Sequence, residues 1–298
     1  PAFLFNKIKG MEEGRKVLVG HFHGDNRRPF RKVAHTLGLD PKLDRTGFAK
    51  NASQALGAML KPVEVSVGEC KEVVKMGKDV NLTELPFTYH AIGDGGKYLM
   101  LNAVTIKDPD SAWMNTGNYA IEVFSKNRLV VTPYAQSNFV GLYTTKYQAR
   151  GQSMPVAIII GGDPVLSMAA GMILPPGVSE YDAAGGLRRH PLEMVKCETN
   201  DILVPANAEV IIEGEVRPYE RLPEGPKTEV FNFSVGPRQP FYAIRIHCIT
   251  HRKNPIVPDI HCAIGCGVHS LMDSFMQLGY LGQIKAFQVP VKYSTGST

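Results

Sequence analysis

The sequence predicts an α+β protein: an antiparallel β-barrel with inserted helices over residues 97–298, preceded by a small α/β segment over residues 1–96. Three observations predict it. From Tyr98 onward, short runs rich in β-branched residues follow one another between turn formers, a tempo that suits antiparallel strands closing on themselves. Helical signals are set into this run of strands, over Leu166 to Ile173 and again from Ser179 to the Gly185-Gly186 pair. Before it, a few short strands and helices end in the turn-rich link Gly93-Asp94-Gly95-Gly96, where the domain boundary is placed.

Taken in order, Phe3 to Ile8 and Lys16 to His21 read as short strands, and Pro29 to Leu39 as a helix that Pro29 can start. Asn51 to Leu60 reads as a second short helix with Asn51 as its cap, and Val63 to Val74 alternates like a strand. Leu82 to Pro86 leads into the link. Tyr98 to Lys107, Gly117 to Phe124 and Arg128 to Pro133 are strands, rejoined later by Ala208 to Val216 and Ala243 to His251. Between them, the buried-looking run Val156 to Ile160 breaks at Gly161-Gly162-Asp163-Pro164. Leu166 to Ile173 follows, then a turn at Pro175-Pro176-Gly177. Ser179 is placed to cap a new helix with Glu180 in its first turn, where exposed amides favour a carboxylate. Met194 to Thr199 and Glu209 to Glu213 return to strand character. Ser270 to Ile284 reads as a final amphipathic helix, its Leu and Met stripe belonging to a core.

Composition bounds the function. With 298 residues, 44% hydrophobic and 20% charged, the chain is long enough for a sizeable core. The net charge of +5 is spread without a dense Lys/Arg run interleaved with aromatics, so no nucleic-acid surface is expected. Five cysteines at irregular spacing suggest a reducing compartment, no apolar run reaches the length of a membrane span, and a cytoplasmic location is expected. No GxSxG elbow, Walker-type loop or GxGxxG occurs, which disfavours hydrolases, P-loop enzymes and a Rossmann site.

Several residues invite chemistry. Glu224 and Glu229 flank Gly225-Pro226 in a loop between strands. Alone they read as a solvated charged loop, but two acids held in one pocket repel, and one can then carry a proton at neutral pH. His21-Phe22-His23-Gly24-Asp25 offers alternate histidines, and reads more simply as a strand end. His261 to His269 offers two Cys and two His within nine positions, suited in composition to zinc but without a standard finger spacing. Cys70, Cys197 and Cys248 read as core, with Glu198 beside Cys197 disfavouring a thiolate.

The phrases GGDP, GVSEYDAAGGLR, VKCETNDILVPANAEVIIEG and EGPKTE, in this order and with the likeness densest over residues 90–235, resemble the central segment of the UbiD-like family of reversible decarboxylases, which use prenylated FMN. The resemblance implies an FMN-binding split barrel and a carboxy-lyase acting on an aromatic or α,β-unsaturated acid. Glu229 would return a proton to the decarboxylated carbon and Glu224 would support cofactor activation. Glu180 and Asn115 would bind a divalent cation, Mn2+ or similar, bridging the cofactor phosphate, with K+ a further candidate. Backbone amides of Thr116 and Gly117 would border the phosphate, and Ala169 and Ala170 would line the flavin. A flavin prenyltransferase as cofactor supplier and a homodimer or larger assembly are implied as well.

The departures are specific. The family arginine that completes the acid network falls at Ala120, which offers neither charge nor fork and should leave Glu224 and Glu229 unpaired. The family's metal-binding histidine falls around Gln136 to Asn138. Lys227-Thr228 stand where aromatic or small residues are more usual, and the family's C-terminal domain is expected to be absent. An altered decarboxylase is therefore expected, the alternative being a non-catalytic flavin-binding or regulatory paralogue. The pocket-wall residues that would select a substrate are not legible.

Overall fold

The computed structural model describes residues 2–22, 31–228 and 234–260. Strands β1 (Phe3–Phe5) and β2 (Lys16–Val19) precede helices α1 (Arg31–Thr36) and α2 (Arg45–Leu56) and the short strands β3 (Val63–Glu64) and β4 (Val73–Met76). Then come β5 (Lys97–Leu99), β6 (Ala103–Lys107), β7 (Met114–Gly117), β8 (Ala120–Ser125) and β9 (Arg128–Thr132), helix α3 (Asn138–Leu142), β10 (Met154–Ile160), and helices α4 (Pro164–Ala170) and α5 (Glu180–Arg188). The chain continues through β11 (Glu193–Lys196), β12 (Leu203–Pro205), β13 (Val210–Val216), β14 (Arg221–Glu224), β15 (Lys227–Thr228), β16 (Ser234–Val235), β17 (Gln239–His251) and β18 (Ile256–Asp259).

The α+β class holds. A ten-stranded sheet runs in the order β5-β8-β9-β17-β13-β10-β6-β7, with β14 and β4 also paired to β17, and every pairing in it is antiparallel. Its path curls, because β7 at one end runs through Asn118-Tyr119 directly into β8 near the other. Asn102 clamps this corner, its Nδ2 donating to Leu99 O at 2.9 Å and Tyr119 O at 2.7 Å. Strands from the first 96 residues are completed by later ones: β2 lies parallel to β18, β3 parallel to β11, and β4 antiparallel to β17.

The uninterrupted apolar run of β10 has a topological cause. This strand lies between β6 and β13, with an apolar core on each face of the sheet. Ala157 and Ile159 enter one core, with α2, α4 and α5. Val156, Ile158 and Ile160 enter the other, with Leu129, Phe139, Tyr143 and Ile244. A strand buried on both faces reads as a continuous hydrophobic stretch rather than an alternation, and each of its Val and Ile side chains contributes roughly 1.5–3 kcal/mol by its removal from water.

Two local expectations are corrected. Helix α2 begins at Arg45, not Asn51: Asp44 is the cap, its carboxylate accepting from Gly47 N at 2.7 Å, while Asn51 sits inside the helix and donates to Gly47 O one turn back. Asp44 is also a preferred cap, and Asn51 satisfies its amide without ending the helix. The Val63 to Val74 run is broken between β3 and β4 by a 3₁₀ turn at Glu69–Lys71, where Cys70 N donates to Ala206 O. His23 to Asp25, the His261 to His269 cluster and the Ser270 to Ile284 helix lie outside the described residues, as does Glu229. Cys70, Cys197 and Cys248 are buried, and burial pushes all three thiols up, Cys70 to about 11.

Candidate functional site

The first centre is built where α5 meets β7. Ser179 caps α5, its hydroxyl accepting from Tyr181 N at 3.3 Å, so Glu180 is the first helical residue, as the sequence predicts. The helix packs into the core through Tyr181, Ala183, Ala184 and Leu187, which drives the Glu180 side chain to 2% exposure. There its carboxylate accepts from Thr116 N at 2.7 Å and Asn115 Nδ2 at 3.0 Å. Asn115 and Thr116 are themselves buried in β7. A hydroxyl chain fixes the arrangement: Thr105 Oγ1 lies 2.9 Å from Thr116 Oγ1 and 2.8 Å from Tyr181 Oη, and Tyr181 Oη donates to Leu203 O at 2.9 Å.

Burial pushes the Glu180 carboxyl up to about 8, against the lowering effect of the Thr116, Glu180 and Asn115 hydrogen bonds. Glu213 is held by a different set of donors. It is also fully buried, but Glu198 N, Thr199 N and Thr199 Oγ1 all donate to it at 2.7–2.8 Å, and it serves to tie the turn between β11 and β12. At the Glu180 centre, Asn115 Oδ1 accepts no hydrogen bond among the described residues. A hard cation wants such oxygens.

The other residues expected at this end are close by. Gly117 is buried at the end of β7, and a Cβ there would run into the Tyr119 phenol, so a side chain at 117 would displace Tyr119. Asn118 N donates to Ala170 O at 3.1 Å, which brings the buried Ala169-Ala170 end of α4 against the β7–β8 corner. Tyr119 stacks edge-on to Phe139, in the first turn of α3 after its Ser137 cap, with ring centroids 5.7 Å apart. The stretch Gln136 to Asn138 is thereby held beside a residue that also feels the Glu180 charge.

The second centre surrounds Glu224, at the end of β14 and 5% exposed. Tyr98 Oη donates to Glu224 Oε1 at 2.9 Å and lies 3.4 Å from Glu122 Oε2. Glu122, 2% exposed on β8, accepts from Gly225 N at 2.9 Å and from Arg238 Nη2 at 2.7 Å. The loop after Glu224 is strapped to the glycine-rich link. Gly95 N donates to Pro226 O at 2.7 Å, Thr228 N donates to Asp94 Oδ1 at 2.7 Å, and a Cβ on Gly95 would collide with the Gly225 carbonyl. Beside this cluster opens a cleft of about 350 Å³, lined among others by Glu122, Arg238, Lys97, Phe87, Tyr89 and Phe124.

Glu224 is therefore not unpaired, although Ala120 lies on the strand as expected. Tyr98, Glu122 and Arg238 escaped the sequence reading. The available signal was a glutamate at a core-facing position of the apolar strand AIEVFS, two residues beyond Ala120 and on its face. Among the described residues no three His, Cys, Asp or Glu side chains gather into a metal cluster.

Fold and geometry together define an α+β protein with a curled antiparallel sheet carrying two buried acid centres, one around Glu180 and the other around Glu122 and Glu224. A family profile, the 3-octaprenyl-4-hydroxybenzoate carboxy-lyase Rift-related domain of UbiD, matches residues 61–264, and the chain belongs to that family. It is 30% identical over 87% of its length to a pyrrole-2-carboxylic acid decarboxylase from Pseudomonas aeruginosa, covering 53% of that protein. It is 31% identical over 88% of its length to a phenolic acid decarboxylase from a Streptomyces species, covering 54% of it. The chain thus spans about half the length of these relatives. Among solved structures it superposes on the closed form of the vanillic acid decarboxylase from Sedimentibacter hydroxybenzoicus with TM-score 0.88 and 29% identity, covering 96% of this chain and 60% of that one. A UbiD-class enzyme from Pelotomaculum thermopropionicum in complex with prFMN superposes with TM-score 0.80 and 26% identity, covering 95% and 61%.

Proposed function

We propose that the protein is a non-oxidative carboxy-lyase using prenylated FMN and a divalent cation to decarboxylate an aromatic or α,β-unsaturated acid. The observation that carries this reading is the Glu180 centre: a buried carboxylate with a raised proton affinity, an amide oxygen beside it and the Thr116 amide bonded to it. That donor set fits the cofactor. Glu180 and Asn115 Oδ1 offer oxygens to a Mn2+-like ion, which would cancel charge that is costly in so dry a place. K+ is a further occupant of this region in the same reading. Thr116 N, expected at the phosphate, is instead taken by Glu180, so the Gly117 amide would border the phosphate, and Ala169 and Ala170 would allow close approach of the ring, within a flavin-binding split-barrel arrangement of the curled sheet.

When bound, the modified flavin supplies the electron sink for loss of carbon dioxide. The chain's own residues bind it, exclude water and place acids. Glu224 is fixed by Tyr98 at the mouth of the loop that leads to Glu229, and Glu229 returns a proton to the carbon that has lost its carboxylate. The relatives named as pyrrole-2-carboxylic, phenolic and vanillic acid decarboxylases support a small carboxylic acid as substrate. A flavin prenyltransferase would supply the cofactor, and the working assembly would be a homodimer or larger. The non-catalytic alternative drew on Ala120, and it loses force because Arg238 brings a guanidinium to the same acid cluster.

The test is carbon dioxide release from a panel of pyrrole, hydroxybenzoic and cinnamic-type acids by protein co-produced with a flavin prenyltransferase, against Glu180→Gln. Turnover by the wild type with at least a tenfold loss in the variant supports the reading. A protein loaded with prenylated FMN that releases nothing from any of these acids contradicts it.

A further inference from the structure

The acid cluster holds a problem of proton supply. Tyr98 carries one hydroxyl proton and two buried carboxylates lie within its reach, Glu224 at 2.9 Å and Glu122 at 3.4 Å. A phenol can donate to only one of them. Glu122 is already served, since Gly225 N and Arg238 Nη2 donate to its two oxygens and the guanidinium supplies the opposing charge. Arg238 is itself located by a second bond, from Nη2 to Gly95 O at 3.1 Å. The chain also binds the parts to one another: Gly225 follows Glu224, Gly95 lies three residues before Tyr98, and Gly95 N holds Pro226 O.

We propose that Arg238 and Glu122 form a positioning pair for Glu224: by satisfying Glu122, Arg238 leaves the Tyr98 proton to Glu224 and so fixes that carboxyl for its part in decarboxylation. The inference rests on the decarboxylase reading for its functional meaning, and on the hydrogen bonds among Tyr98, Glu122, Glu224, Gly225 and Arg238 for its geometry. It assigns a role to a guanidinium reaching the cluster from the start of β17, at a site where position 120 supplies none. Without Arg238, Glu122 becomes a buried anion one donor short and competes for Tyr98, and the Tyr98 hydrogen bond to Glu224 is weakened.

The pattern of epistasis separates this role from a merely structural one. Arg238→Gln is expected to lower kcat about tenfold or more with KM within about threefold, in line with loss of a hydrogen bond to a charged group. Glu122→Gln combined with Arg238→Gln removes the competing charge, and is expected to recover most of the loss. Arg238→Lys, which keeps the charge, is expected to fall between. Tyr98→Phe is expected to lose activity in every background. A second readout needs no turnover: the 13Cζ resonance of Tyr98, assigned by its absence in Tyr98→Phe, should shift in Arg238→Gln and return in the double variant. A double variant no more active than Arg238→Gln, or a Tyr98 resonance that Arg238→Gln does not move, overturns the proposal. If the loaded wild type turns over no acid, the decarboxylase reading fails, and the resonance still decides the pairing.

Discussion

The Glu180 carboxylate accepts the backbone amide of Thr116 at 2.7 Å across 64 residues of sequence, joining the first turn of α5 to the middle of β7. The contact places an acid where the fold cannot easily keep it charged, and several measurable consequences follow from that cost.

Stability of the cation-free protein should fall as pH rises. The Glu180 carboxyl titrates near 8 in the folded state and near its ordinary 4.5 when unfolded, so between these values the folded state holds a proton that the unfolded state has released. Unfolding is then favoured by raising pH, at a cost on the order of a few kcal/mol once pH passes about 8. Urea unfolding from pH 5 to 8.5 in the presence of a chelator should show this decline, and Glu180→Gln should flatten it. Equal slopes in the two proteins would refute the assignment.

A divalent cation should reverse that trend. It binds the ionised form, so Mn2+ should raise Tm more at pH 8 than at pH 5.5, and Glu180→Gln should abolish the increment. Thermal melts at fixed ionic strength check this; an increment that survives the substitution places the ion elsewhere.

Gly95 is expected to tolerate no side chain. Gly95→Ala drives a Cβ into the Gly225 carbonyl and should cost about 1–3 kcal/mol. Gly141, in α3 with no atom within 4 Å of an added Cβ, is the internal comparison, and Gly141→Ala should be neutral or stabilise by up to about 1 kcal/mol. Chemical denaturation of both variants reads the difference.

The cap of α2 gives a prediction that separates sequence from structure. Asp44→Ala should destabilise by about 1 kcal/mol, whereas Asn51→Ala, which removes only a bond back to Gly47 O inside the helix, should cost little. Denaturant midpoints decide between them.

What was legible in the sequence and what was not divides along physical lines. Ser179 and Glu180 were readable because capping is a local code, and the strands of the curled sheet because β-branched runs between turn formers are local as well. Asn115 and Glu180 were brought together only through the resemblance, since nothing in their spacing says that β7 and α5 touch. Arg238, Glu122 and Tyr98 escaped because their meeting depends on tertiary pairing: Tyr98 stands opposite Glu122 in the β5–β8 register, and Arg238 arrives from more than a hundred residues later. Position 120 alone suggested a cluster without a cation, because one strand position was read without the strands that pack around it.

The most direct test of the central claim is metal analysis and mass spectrometry on one sample of the purified protein, co-produced with a flavin prenyltransferase, beside Glu180→Gln. The account predicts prenylated FMN and a divalent metal near stoichiometry in the wild type, with both reduced at least about tenfold in the folded variant. A folded wild type that carries neither, or a Glu180→Gln protein loaded as fully as the wild type, would contradict it.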